Sequence, residues 1–511
     1  FIALKRENCN EYAGEVLGFS FVYSGNFLAQ VEVDTYDVTR VMMGIHPHCF
    51  SWSLEKGESF QTPEVVMVYS NDGLNKMSQT YHKLYQRRLA RGKYRDQVRP
   101  ILVNNWEATY FDFDEEKIMD IAGTAQKLGI ELFVLDDGWF GKRNNDVAGL
   151  GDWYPNLQKL PSGISGLSRK INNLGMKFGL WFEPEMVNKN SDLYRNHPQW
   201  ILETPNRPSS HGRNQFVLDF SNPEVVIYVY NMMTEVIDKA NISYIKWDMN
   251  RCMTEVYSSC HDSESQGRVM HEYILGVYQL YELLTSRFPE ILFESCASGG
   301  ARFDPGMMYY APQCWTSDDT DALERLKIQY GTSMVYPVSS LGAHVSAAPN
   351  HQLLRNTPIE TRANVAYFGT FGYELDLNKL SMDEQIKVKE QITFMKDYRE
   401  IIQFGTFYRL KSPFEGNETV WMVVSQDQNT AIIGYYRTLQ EVNVGYRRVK
   451  LLGLDPDKEY HVNLNNTVHY GDELMNLGLI TTDSSCGENK EKYDGTNGDY
   501  LSRIYVLKAK I

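Results

Sequence analysis

Up to about Arg99, apolar and polar residues alternate in short runs, GFSFVYSG, AQVEVDTYDV and EVVMVYS, split by Gly, Asn and Asp. A period of two fits antiparallel strands with one face in water. After Pro100 the pattern changes. Short apolar runs, ILVNNW, ELFVLDDG, MKFGLWFEP, QFVLDFS, YIKWDMN, ILFESCAS, QCWTSDD and SMVYPVS, now alternate with longer segments of helical period such as DEEKIMDIAGTAQKLG and NPEVVIYVYNMMTEVIDKA. Those segments open on Asp or Asn, the residues that cap helix N-termini. Eight strand-then-helix units between residues 100 and 400 predict an α/β fold, a (β/α)₈ TIM barrel. A doubly wound open sheet is the rival, but no G-x-G-x-x-G turn follows the first strand. From residue 401 to 511, runs such as TVWMVVSQ, TAIIGYYR and YLSRIYVLKAK, with turns GNET, DPDKE and DGTNGD, predict a C-terminal antiparallel β-sandwich.

Composition narrows the function. Of 511 residues, 42% are hydrophobic and 13% aromatic, which supports a large core and excludes a disordered chain. A net charge of -14, spread along the chain, argues against nucleic acid or an anionic membrane surface as partner. No apolar run approaches the roughly 20 residues of a membrane helix. Seven cysteines without regular spacing suit reduced thiols and a cytoplasmic protein. The opening FIALKRENCNEYAGEVLG has neither an initiating Met nor a signal-peptide core, so an upstream region is expected.

The active site of such a barrel lies at the C-terminal ends of its strands. Those ends carry Trp106 and Glu107, Asp136 and Asp137, Trp181, Glu183 and Glu185, Asp219, then Lys246, Asp248 and Asn250. Glu294 and Cys296 follow, then Trp315, Asp318, Asp319 and Asp321. Any one such Asp could simply cap a helix or brace a loop. A whole ring of carboxylates and indoles suits a sugar, because indoles stack on the C–H face of a pyranose and charged groups bind its hydroxyls. Magnesium is the competing use, but Lys246 and Arg213 would crowd a cation, so neither metal nor cofactor is expected.

NNWEATYFDF, LFVLDDGWFG, GLWFEPEMV, HGRNQFVLD, YIKWDMNR, ESCASGGARFD and CWTSDDTDALERLKIQYG resemble, in order and spacing, the signature blocks of glycoside hydrolase family 36, the retaining α-galactosidases or melibiases. The resemblance implies that Asp248 is the nucleophile and Asp318 the general acid/base. It implies galactose contacts from Trp106, Asp136, Asp137, Trp181, Arg213, Lys246, Asn250, Cys296 and Gly299, the last two near the sugar 2-position. Residues 1–99 then read as the last part of the family's N-terminal β-sandwich, 100–400 as the barrel and 401–511 as the C-terminal sandwich. A small oligosaccharide substrate is implied, and a homo-oligomer, since some relatives are tetramers. An α-N-acetylgalactosaminidase, a galactosyl-transferring synthase and a silent sugar-binding protein are the alternatives.

Adjacent residues of an extended chain point to opposite sides, so only one of Asp318 and Asp319 can face the sugar. Asp321 reads as a helix N-terminal charge, and Glu183 and Glu185 as bracing. His46, His48 and Cys49 are possible zinc ligands, but four-coordinate zinc needs more than three neighbours in one run, and loop structure is the preferred reading.

Overall fold

The structure, a computed structural model, describes residues 1–442, 445–464, 466–481 and 498–510. Eight parallel strands close into a barrel: β1 (Leu102–Asn104), β2 (Leu132–Leu135), β3 (Lys177–Phe182), β4 (Tyr244–Trp247), β5 (Leu292–Ser295), β6 (Gln313–Trp315), β7 (Leu341–Ser346) and β8 (Thr370–Glu374). Almost every residue of these strands is buried, as expected of parallel strands covered on both faces. The helix Glu115–Leu128 shows how the outer ring is built. Asp114 caps it by accepting from the Lys117 N–H, Gly129 ends it at φ 94°, and Ile118, Ile121, Ala122, Ala125 and Leu128 form the buried stripe.

Two of the eight strands are not the ones the apolar runs predict. In QFVLDFS only Phe216–Val217 is extended, and it pairs antiparallel with Met186–Val187 outside the barrel. SMVYPVS is a turn and a short 3₁₀ segment before β7. The strands in their place are LGAHVS and TFGYE, whose Gly and polar residues break up the apolar run. Gly372 is required there: a Cβ would stand 2.8 Å from His344 Cδ2 and 2.9 Å from Leu102 Cδ1. Asp219 is therefore not at a barrel strand end. It is buried and accepts hydrogen bonds from Ser221 and Ser258. The strand bearing Asp248 is the fourth of the barrel and the one before Asp318 the sixth.

Before the barrel, Ile2–Lys5, Val16–Val22 and Glu64–Ser70 form an antiparallel sheet, and Phe27–Val33 pairs with Thr39–Ile45. After it, six antiparallel strands form a sheet in the order 406–411, 418–424, 430–437, 501–509, 459–462, 467–470. Alternation assigns the two faces of this sheet. Trp421, Val423, Ile432 and Tyr436 join the barrel core, while Val420, Met422, Ile433 and Tyr435 build the domain's own. The turn DGTNGD falls largely outside the described residues. Arg409, fully buried, ties three regions together by pairing with Glu11 at 3.0 Å and donating to Ser78 Oγ and the Ser333 carbonyl. No helix among the described residues is long and apolar enough to cross a membrane.

Candidate active site

In a barrel strand alternate residues face the axis, so Lys246 and Asp248 share one side while Trp247 packs outward on Tyr281 at 3.9 Å. Pairing in register sets Lys246 beside Trp181 on β3 and Glu294 on β5. These strand ends open into a cavity of about 260 Å³. That is below the roughly 300–1,000 Å³ of drug-sized ligand sites and suits a single pyranose.

On one wall Lys246 Nζ donates to Asp136 Oδ2 at 2.9 Å, and Asn104 Nδ2 donates to the same oxygen at 2.6 Å. Burial alone would lower the lysine's pKa; Asp136, Glu374 and other negative neighbours outweigh it and keep the ammonium charged. Asp137 is gripped by the Arg143 guanidinium through Nε at 3.0 Å and Nη2 at 2.8 Å. Such a fork fixes the carboxylate plane and aims its remaining lone pairs.

Asp248 is met by donors only. Asn250 Nδ2 lies 2.7 Å and Trp181 Nε1 3.3 Å from Oδ2; the backbone N–H groups of Met249 and Ser298 reach Oδ1 at 2.8 and 3.3 Å. Asp318 receives Trp315 Nε1 at 3.0 Å on Oδ1. Its pKa is pushed up to about 6, first by burial and then by the Asp248 charge, against the pull of Lys246. Its side chain is nonetheless open to the cavity, so water there screens part of the effect.

Trp106, Asp136, Asp137, Trp181, Arg213, Lys246, Asn250 and both candidate catalytic aspartates line this one cavity. Cys296 and Gly299 are not among its lining residues. Cys296 is 3% exposed and held as a thiol by burial and the Asp248 charge. Gly299, at φ 85°, bridges Ser317, and a Cβ on it would come within 2.6 Å of Ser317 Cα and 2.7 Å of the Asp318 nitrogen. Its role is close approach. Asp319 is absent from the lining and accepts from the Asp321 N–H at 3.0 Å, while Asp321 caps the helix Ala322–Thr332.

Glu183 and Glu185 are both fully buried beneath the site. Glu183 accepts from Gln215 at 2.9 Å and from the Asn250 backbone, and burial with the Asp248 charge pushes it to about 8. Glu185 holds Arg302 through two bonds and also receives Trp247 Nε1 at 2.9 Å and Tyr273 Oη at 2.7 Å. Glu185→Ala would strand the buried Arg302 charge and should cost about 3–5 kcal/mol, read as a fall in the urea midpoint. A loss below about 1 kcal/mol would contradict that account.

Several lining or supporting groups escaped the sequence reading. Glu374 ends β8, a strand the apolar pattern skipped. His351 comes from a loop and approaches Glu107 at 3.4 Å, and Arg143 lies in the loop GKRNND, where nothing marks it. Alternation in TFGYEL, ending in a carboxylate like the other strand ends, could have found Glu374. His46 and His48 lie on a loop with ring centroids 6.3 Å apart, and Cys49 is exposed. Among the described residues, no group of three or more His, Cys, Asp or Glu side chains could hold a metal ion.

A closed parallel barrel whose carboxyl ends hold indoles, a lysine and two aspartates in different hydrogen-bonding surroundings defines a carbohydrate-active protein. The melibiase family model matches residues 59–405, the glycosyl hydrolase family 36 C-terminal domain residues 418–507 and the corresponding N-terminal domain residues 1–55. Alpha-galactosidase AgaA of Geobacillus stearothermophilus is 57% identical over 509 residues, covering 100% of this chain and 68% of that protein. Mel36A of Lactobacillus acidophilus is 47% identical over 510 residues, again 100% of this chain and 68% of the relative. The crystal structure of an AgaA variant in complex with raffinose superposes with a TM-score of 0.96 at 56% identity, over 99% of this chain and 69% of that one. The chain belongs to glycosyl hydrolase family 36, the melibiases.

Proposed function

We propose that this protein is a retaining exo-α-galactosidase acting on melibiose, raffinose and stachyose. The observation that carries the reading is electrostatic. One small cavity holds an aspartate fixed by four N–H donors and a second whose pKa lies at about 6. Retaining cleavage uses such a pair, one carboxylate as nucleophile and one carboxylic acid as proton donor. Asp248 attacks the anomeric carbon while Asp318 gives its proton to the departing oxygen, leaving a galactosyl ester on Asp248. Asp318, now ionised, takes a proton from water, which opens the ester from the opposite face and returns the α-anomer. Lys246, Asp136 and Asp137 hold sugar hydroxyls, and Trp106, Trp181 and Arg213 shape the walls. Cys296 and Gly299 lie near the sugar 2-position in this reading.

Relatives solved with raffinose and with stachyose support the substrate class. We also propose three regions, 1–99, 100–400 and 401–511, a homo-oligomeric assembly and a cytoplasmic location, the last suited by six free thiols among the described residues. The experiment is proton NMR of the first-formed sugar from melibiose, raffinose and matched aryl α-galactoside and α-N-acetylgalactosaminide. Initial α-galactose is expected. Initial β-galactose, or faster turnover of the N-acetyl substrate, would overturn the assignment.

A further inference from the structure

The two strands absent from the sequence reading carry a buried pair that the mechanism above does not use. His344 on β7 places Nδ1 3.0 Å from Glu374 Oε2 on β8, and the side chains are both about 3% exposed. With a carboxylate as partner, Nδ1 is the protonated nitrogen. Nε2 has no hydrogen-bond partner among the described residues, so this one bond sets the orientation of the ring. The imidazole lies against the Trp315 indole with centroids 4.4 Å apart and planes 31° from parallel. Gly372 keeps the space beside the imidazole clear. Trp315 in turn donates its Nε1–H to Asp318 Oδ1 at 3.0 Å. A histidine serving only to fill the core would not need a carboxylate that also lines the sugar cavity, as Glu374 does.

We propose that the Glu374–His344 pair is a positioning device for Asp318: the carboxylate sets the imidazole plane, the imidazole sets the indole, and the indole N–H fixes which carboxyl oxygen is occupied. Because Oδ1 accepts from the indole, the proton resides on Oδ2, and Oδ2 is the atom aimed at the leaving oxygen. The inference rests on Asp318 being the acid/base. It concerns direction, not charge, although the surroundings are charged. Asp248, Lys246, Glu374, Arg325 and Cys296 act on Asp318, and Glu107, Asp136, Lys246, Arg325 and His351 act on Glu374.

The test compares kcat/KM on melibiose, whose departing sugar needs the proton, with 2,4-dinitrophenyl α-galactoside, whose phenolate leaves without it. His344→Leu should lose about tenfold to hundredfold on melibiose and less than about threefold on the aryl substrate. Glu374→Gln should shift the ratio the same way, and His344→Asn, which keeps a donor toward Glu374, should restore part of it. Added to Asp318→Asn, His344→Leu should cost nothing further on melibiose. Equal losses on the two substrates, or none on melibiose, would overturn the proposal. If His344→Leu does not fold, Glu374→Gln and His344→Asn report the same ratio. Should Asp318→Asn alone hydrolyse melibiose at the parent rate, the acid/base reading fails first and takes the proposal with it.

Discussion

Asp248→Gly should abolish turnover of an aryl α-galactoside, with kcat falling by about 10⁴-fold or more, as removal of a nucleophile does in other hydrolases. The four donors that hold the carboxylate would remain, so the site keeps its shape while losing the attacking oxygen. Azide, small and anionic, can enter the space the side chain vacates and attack the same face of the sugar. The expected product is β-galactosyl azide, identified by NMR. Turnover at the parent rate, or an α-azide as the main product, would refute the assignment of Asp248.

The second large effect belongs to Asp318. Asp318→Asn should lower kcat on melibiose by about 10²–10⁴-fold, with less effect on dinitrophenyl substrates, and azide should now give the α-galactosyl azide. The pH profile supplies an independent measurement. A general acid works protonated, so kcat/KM should fall as pH rises through about 6, the value to which burial and Asp248 push this group. Cavity water screens that shift in the free enzyme, and a bound sugar displaces the water. The alkaline limb of kcat should therefore lie at higher pH than that of kcat/KM. On the dinitrophenyl substrate, whose leaving group needs no proton, the limb of kcat/KM should be absent in the parent enzyme; the same limb on both substrates would assign it to another group.

The barrel was legible because parallel strands bury both faces, and the runs LFVL and YIKW show this directly. It was misread where burial and strand identity part company. Phe216–Val217 is as apolar as a barrel strand yet pairs outside it, whereas β7 and β8 carry Gly and His where side chains from neighbouring strands must pass. Local periodicity cannot distinguish these cases, because the difference lies in the partner. Nine of the eleven predicted site residues line the cavity, eight because their motifs sit at barrel strand ends, where the chain leaves the barrel pointing at the mouth, and Arg213 from the turn before Phe216–Val217. Arg143 follows the block LFVLDDGWFG by two residues in a loop with no pattern of its own, and His351 comes from a loop outside every block; tertiary contacts set their positions.

Gly299 carries the last consequence. The turn after β5 and the turn after β6 are locked by the Gly299–Ser317 bridge, with backbone so close that a single methyl group would collide with the nitrogen of Asp318. The two turns therefore shift together. Engineering a bulkier hexosamine into the pocket by remodelling the first would drag Asp318, the proton donor of the proposed mechanism, out of line, so broadened tolerance and sustained turnover pull this hinge in opposite directions.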